Sequence, residues 1–326
     1  LYTMLIMQRI DDTTFTSVIN SQEVKPCGLI YCVTAFDSAN NMSISPFYAI
    51  NVKTEEDTSP IALPGGSEQT AYRMISVPYE LDDPDPLNVL QPIFGTYNPV
   101  YWRLFDWQGK WVEATDPNFR DFTPGRAFFL ITRDTGKKIV IENGTSVPFD
   151  TLFVMQLDSG WNLISTPFAF EINKSQMYLT NGEQIILYSY EGKWDTASVM
   201  EPWKGYAIKV SNTTDLQIMP LAPKSYKGNV SKPRWIVQII AECDKAKDEL
   251  NYVGVYDDAD EGYDKYEMYE PPFVGKYVSV FFERKNWTKP DIYTTDFRPP
   301  EEGYKFDFNV MSNIGKPVRL RFEGIE

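Results

Sequence analysis

The chain predicts an all-β fold, a string of β-sandwich modules with an internally duplicated centre, and three observations carry that prediction. Hydrophobic residues make up 43% and aromatics 15% of the 326 residues, enough for several cores and too much for wholesale disorder. These residues fall in short runs cut by Gly, Pro, Asn and Asp, the punctuation of strands and hairpins, and no run of about 18 apolar residues interrupts them. Finally, three blocks recur in the same order. Tyr72-Arg73-Met74-Ile75-Ser76-Val77-Pro78 lies over Trp161-Asn162-Leu163-Ile164-Ser165-Thr166-Pro167, residues 104–111 lie over 187–194, and residues 122–131 lie over 201–210.

Taken in order, residues 1–10 and 13–19 read as strands with Asp11-Asp12 as the turn between them. Next comes Pro26-Cys27-Gly28-Leu29-Ile30-Tyr31-Cys32-Val33-Thr34-Ala35-Phe36, followed by an Asn-rich turn and a Ser-containing strand. This stretch resembles the second half of a fibronectin type III domain, an immunoglobulin-like sandwich. The resemblance implies that Tyr31 is the corner tyrosine, that Val33 and Ala35 face a core, and that residues 47–53 form the last strand. Residues 1–54 match only from about the third strand, so an apolar inner face and an open edge are expected there. Strands preceding Leu1 would cover that face; strand addition from another chain is the alternative.

Residues 55–70, rich in Pro, Gly, Ser and acids, read as a linker. The duplicated region follows, with copy 1 at 71–159 and copy 2 at 160–223. Gln108-Gly109 and Glu191-Gly192 are hairpin-turn pairs, and 139–141 and 216–218 would close the copies. Gly160-Trp161-Asn162-Leu163-Ile164-Ser165 and the Pro-Trp-x-Gly-Tyr run at 202–206 resemble paired β modules of bacterial and archaeal secreted and surface proteins. That likeness implies an extracellular location and no assigned chemistry. A polar junction at 224–232 leads to 233–326, where alternation at 235–241, 276–283, 304–310 and 318–322 reads as a further β-sandwich.

Composition excludes several function classes. A net charge of −14 disfavours nucleic acid, whose phosphates need Lys and Arg to displace counterions. The chain has no histidine, which removes Ser-His-Asp and Cys-His sites, the usual zinc sites and an imidazole base. Cys27, Cys32 and Cys243 are too few and scattered for a disulfide framework, and Cys243 reads as a small buried hydrophobe.

Candidate sites are few. Oxygen ligands spaced along a Gly-containing loop suit Ca²⁺, so Asp258, Asp260 and Asp264 are the candidate calcium ligands, against the plain reading of a solvated acidic loop. No other cofactor is required. Glycosylation sequons start at Asn41, Asn143, Asn173, Asn212, Asn229 and Asn286, where about two would be expected by chance. Tryptophans matched in both copies read as core, and Trp102, opposite Ile185, is the candidate for an exposed sugar-stacking ring.

The expectation is therefore a non-catalytic extracellular structural or adhesive protein, a cell-surface or filament-forming component. Its expected partners are other protein modules, identical subunits or glycans, with no nucleic acid and no membrane insertion. The alternatives are a carbohydrate-binding accessory region and a glycosidase using carboxylates alone.

Overall fold

The computed structural model describes residues 3–220, 232–301 and 303–325. The junction expected at 224–232 falls, save Lys232, outside these residues, as does the sequon at Asn229. The described chain is nearly all strand, with one α-helix.

The duplicated region forms two modules of the same seven-strand plan. In the first these are β1 (Lys53–Thr58), β2 (Arg73–Ile75), β3 (Tyr79–Leu81), β4 (Trp102–Trp107), β5 (Trp111–Glu113), β6 (Phe128–Thr132) and β7 (Val140–Ser146), with α1 (Pro86–Phe94) between β3 and β4. In the second they are β8 (Phe153–Leu157), β9 (Gly160–Ile164), β10 (Met177–Leu179), β11 (Leu187–Tyr190), β12 (Trp194–Ala197), β13 (Tyr206–Val210) and β14 (Thr214–Ile218). Sheet order is β5-β4-β6-β2 over β1-β7-β3 in one, and β12-β11-β13-β9 over β8-β14-β10 in the other. Alternation along β4 turns Trp102, Leu104 and Asp106 inward, where they are buried, and presents Phe105 and Trp107 on the opposite face. Ile75, Leu104, Phe128 and Leu130 meet Tyr79 and Ile141 in the first core; Ile164, Leu187, Tyr206 and Ile208 meet Leu157, Leu216 and Ile218 in the second.

Two boundaries differ from the sequence expectation. The stretch 55–70 is not simply a linker: its start belongs to β1, which pairs with β7 from Val140↔Thr58 to Thr145↔Lys53, and Leu63 is buried. Likewise β8, read as the end of copy 1, pairs with β14 and so belongs to copy 2. The sequence Lys-Thr-Glu-Glu-Asp-Thr of β1 hides the strand, because an edge strand with one thinly covered face carries no apolar alternation. The third repeated block also shifts by one residue. Ile75 pairs with Phe128 and Ile164 with Tyr206, so Phe128 corresponds to Tyr206 and Pro124 to Pro202. Such a slip would place every side chain on the wrong face.

The modules clasp each other reciprocally. Ser76 N–H donates to Trp203 O (3.0 Å) and Ser165 N–H to Gly125 O (2.8 Å). Ser76 Oγ donates to Lys204 O (3.0 Å) and Ser165 Oγ to Arg126 O (3.1 Å). Gly205 N–H reaches Met74 O (3.0 Å) and Ala127 N–H reaches Leu163 O (3.4 Å). This is the pattern of a two-fold axis running between equivalent residues Ala127 and Gly205. A Cβ on Gly205 would lie 2.6 Å from the Ala127 Cβ, so the absence of a side chain sets how closely the modules approach.

The terminal sandwich stacks β19-β16-β15-β21 on β18-β17-β20, with β15 (Trp235–Cys243), β16 (Ala246–Val255), β17 (Val278–Arg284), β18 (Asp291–Tyr293), β19 (Thr295–Arg298), β20 (Asn309–Ser312) and β21 (Arg319–Ile325). Cys243 is buried in its core, as the sequence indicates, and all three cysteines are free thiols. At the other end, residues 3–52 form only short two-strand ladders. Ile6, Ile10, Val33, Phe36, Ile44 and Ile50 are exposed there, while Ile30 and Ala49 touch the second module's core.

Candidate functional site

The outer faces of the two four-stranded sheets, together with the terminal sandwich, enclose one aromatic layer. Met74, Phe129, Leu163, Tyr188, Tyr190, Leu250 and Val274 are its buried members. Trp111 and Trp194 occupy equivalent positions in hairpins turned by Gly109 and Gly192. Their indoles donate to successive carbonyls of one loop of the terminal sandwich: Trp111 Nε1–H to Phe273 O (3.0 Å) and Trp194 Nε1–H to Pro272 O (3.2 Å). Edge-on packing links them through Phe129, whose centroid lies 5.1 Å from Trp111 and 5.9 Å from Trp194, a geometry that adds about 0.5–1.5 kcal/mol per pair beyond buried area. Pro271 and Pro272 stiffen the loop that receives them. Around this layer, ion pairs Lys193–Glu249 and Lys209–Asp291 tie the second module to the terminal sandwich, and Lys209 Nζ sits 4.5 Å from the Tyr269 ring centroid.

Beneath the joint lies a group of buried acids that the sequence reading did not single out. Glu270 is 6% exposed; its Oε1 accepts from Ser279 Oγ (2.7 Å), and its Oε2 has no donor among the described residues. Burial, with the Asp248 carboxylate nearby, pushes its pKa well above the usual carboxylate range. Burial likewise raises Asp248, which accepts from Val280 N–H (2.7 Å). Glu267, fully buried, is pushed up to about 9 by burial and by the adjoining Asp264 carboxyl. The available signal was an acid set between Tyr269 and a Pro-Pro pair, a context too apolar for a solvated carboxylate.

Of the three expected calcium ligands, Asp258, Asp260 and Asp264, the structure engages the carboxylates of Asp258 and Asp264 in hydrogen bonds within the loop. Asp258 accepts from Tyr266 Oη (2.5 Å) and Lys265 Nζ (2.6 Å), while Asp264 accepts from the backbone N–H of Asp260 and of Tyr266 (2.7 Å each). The Asp258 and Asp264 carboxylates thus fold the loop, and no group of three or more His, Cys, Asp or Glu among the described residues is arranged around a metal position. Trp102, expected as an exposed stacking ring, is instead 1% exposed, beneath α1. Asp85 caps that helix through Leu87 N–H (2.7 Å), and Phe94 and Tyr97 pack on the indole, whose Nε1–H donates to Gly95 O (3.2 Å). Of the eight tryptophans, Trp102 and Trp203 are buried and the others half-buried, so none is a fully open stacking platform. The sequons at Asn41, Asn143, Asn173, Asn212 and Asn286 are exposed.

A cleft of about 470 Å³ lies on the terminal sandwich between the β17–β18 turn and residues 298–301. Four of its six charged side chains, those of Arg284, Arg298, Glu283 and Lys285, are engaged in ion pairs. Arg284 and Arg298 both hold the fully buried Asp296, and Glu283 pairs with Lys285 (2.9 Å). No helix among the described residues is long and apolar enough to cross a membrane. Comparison with family models, curated proteins and solved structures finds no match.

Proposed function

We propose that the protein is a non-catalytic structural component of an extracellular or cell-surface assembly, in which the tandem modules and the terminal sandwich act as one rigid spacer. The observation that carries this reading is the double indole grip: equivalent tryptophans from both modules are anchored on neighbouring carbonyls of a third unit. Aromatic rings that could have stacked on a ligand are committed to holding modules together. The exposed sequons and acidic balance support a solvated, glycosylated exterior. A glycan at Asn286 would stand on the wall of the 470 Å³ cleft. The exposed apolar ladders of residues 3–52 suit contact with other modules or identical subunits.

Electron microscopy of the purified chain, paired with a polysaccharide hydrolysis and retention panel, tests the proposal. Particles of one constant outline without turnover are expected. Sugar release that Glu283→Gln abolishes would replace this reading with the carboxylate glycosidase; polysaccharide retention alone would favour the accessory module.

A further inference from the structure

The joint holds a cavity of about 20 Å³ whose polar lining includes Gln69, Lys247, Asp248, Glu249, Glu270 and Ser279 beside a wall of aromatic, proline and aliphatic side chains, drawn from the first module's approach, the second module and the terminal sandwich. That is room for one water-sized occupant. Its polar lining is rich in acceptors. Gln69 Oε1 and Glu270 Oε2 are buried with no hydrogen-bond partner among the described residues, and both residues are more than nine-tenths buried, at 7% and 6% exposure. Ser279 Oγ has already given its proton to Glu270 Oε1, which leaves its lone pairs. Asp248 receives backbone N–H groups from Val280 (2.7 Å) and Leu250 (3.4 Å). Among the described residues neither carboxylate has a salt-bridge partner, and Lys247, itself in the lining, is paired with Glu249 and Glu242. Buried carboxylates are ordinarily paired or coordinate a metal, and unpartnered buried oxygens are costly.

We infer that this cavity is a binding site for a single hard divalent cation, with Asp248 and Glu270 as the charged ligands and Gln69 Oε1 and Ser279 Oγ as neutral ones. Two carboxylates balance a 2+ charge, and all-oxygen coordination by side chains fits Ca²⁺. Ca²⁺ tolerates irregular oxygen geometry such as this lining offers, whereas Mg²⁺ demands a near-ideal octahedron. The ion would join the modules through Gln69, whose backbone carbonyl already receives Tyr190 Oη (3.0 Å), and thereby set the stiffness of the joint. The consequence for stiffness rests on the structural reading above; the site itself does not.

The test is calorimetric titration of chelator-stripped full-length chain with CaCl₂, alongside its melting temperature with and without the ion. One site per chain is expected, with a dissociation constant of about 0.1–1 mM and a rise of several degrees in melting temperature. Glu270→Gln should weaken binding at least about tenfold, and Gln69→Ala, which leaves both carboxylates in place, should weaken it less. The paired change Asp258→Asn and Asp260→Asn should leave the titration unaltered. Absence of heat and of a thermal shift up to about 10 mM Ca²⁺ would overturn the inference and assign the cavity to water. Binding that survives Glu270→Gln, or that disappears with the Asp258/Asp260 change, would overturn it equally. In each of those outcomes the spacer reading stands, since it is judged on particle shape and turnover.

Discussion

The two modules share strand order, hairpins and the reciprocal serine clasp, yet they meet each other's cores differently. At the turn before β13, the second module places Trp203, with φ of 69°, into the first module's core, where its ring lies 5.9 Å from Tyr79. At the equivalent turn before β6 the first module has Gly125, with φ of 89°, against Phe153 and Met155 of the second. The left-handed backbone is common to both, so the turn geometry belongs to the shared plan. A non-glycine side chain held there costs roughly 1–2 kcal/mol, which the buried indole offsets. The difference teaches that a two-fold arrangement can keep its backbone contacts while one copy supplies the plug and the other the space.

Trp203→Ala should break that comparison most. It empties the plug, and a loss of about 3–5 kcal/mol is expected in urea unfolding, whereas Gly125→Ala strains a turn without emptying a core and should cost about 1–2 kcal/mol. The terminal sandwich, which has no counterpart in the tandem pair, supplies the next contrast. The Glu267 carboxyl has its pKa raised to about 9, so the folded state binds a proton that the unfolded chain releases near its ordinary pKa of 4.5. Its stabilisation is complete below that ordinary value and is lost as pH rises towards 9, at about 1.4 kcal/mol per pH unit across the window. Melting measured from pH 5 to 9 should therefore fall more steeply for the natural chain than for Glu267→Gln.

Closer to the axis, Gly205→Ala forces a methyl group into the space of Ala127 and Met74. It should cost about 1–3 kcal/mol, because overpacking at a backbone contact cannot relax by rotamer change. The smallest and most discriminating pair is Ser76→Ala and Ser165→Ala. Both hydroxyls serve equivalent carbonyls across the axis, so losses of about 1 kcal/mol should agree within error in chemical denaturation. Unequal losses would show that only one half of the clasp is formed in solution.

How much was legible in the sequence follows the same physics. Alternation and Gly-Lys hairpins reveal β4, β5, β11 and β12, because successive side chains face opposite sides of a strand, one side lies deeper than the other, and the tight turn takes glycine. The acidic edge strand β1 has little apolar face to betray it, and the third block slipped because Phe128-Phe129 offers two aromatic matches to Tyr206-Ala207. Trp102 was read as exposed from its mismatch with Ile185; the mismatch instead reflects α1, which one module has and the other lacks, leaving space that a larger ring fills. Glu270, Asp248 and Gln69 were invisible as a group, since they lie far apart in the chain and only docking of the three units brings them to one cavity.

Differential scanning calorimetry of the full chain tests the rigid spacer most directly. The account predicts one cooperative transition for the tandem modules and the terminal sandwich together, splitting into two when Trp111 and Trp194 are both changed to alanine. A natural chain whose terminal sandwich melts on its own, with the double variant melting no differently, would contradict it.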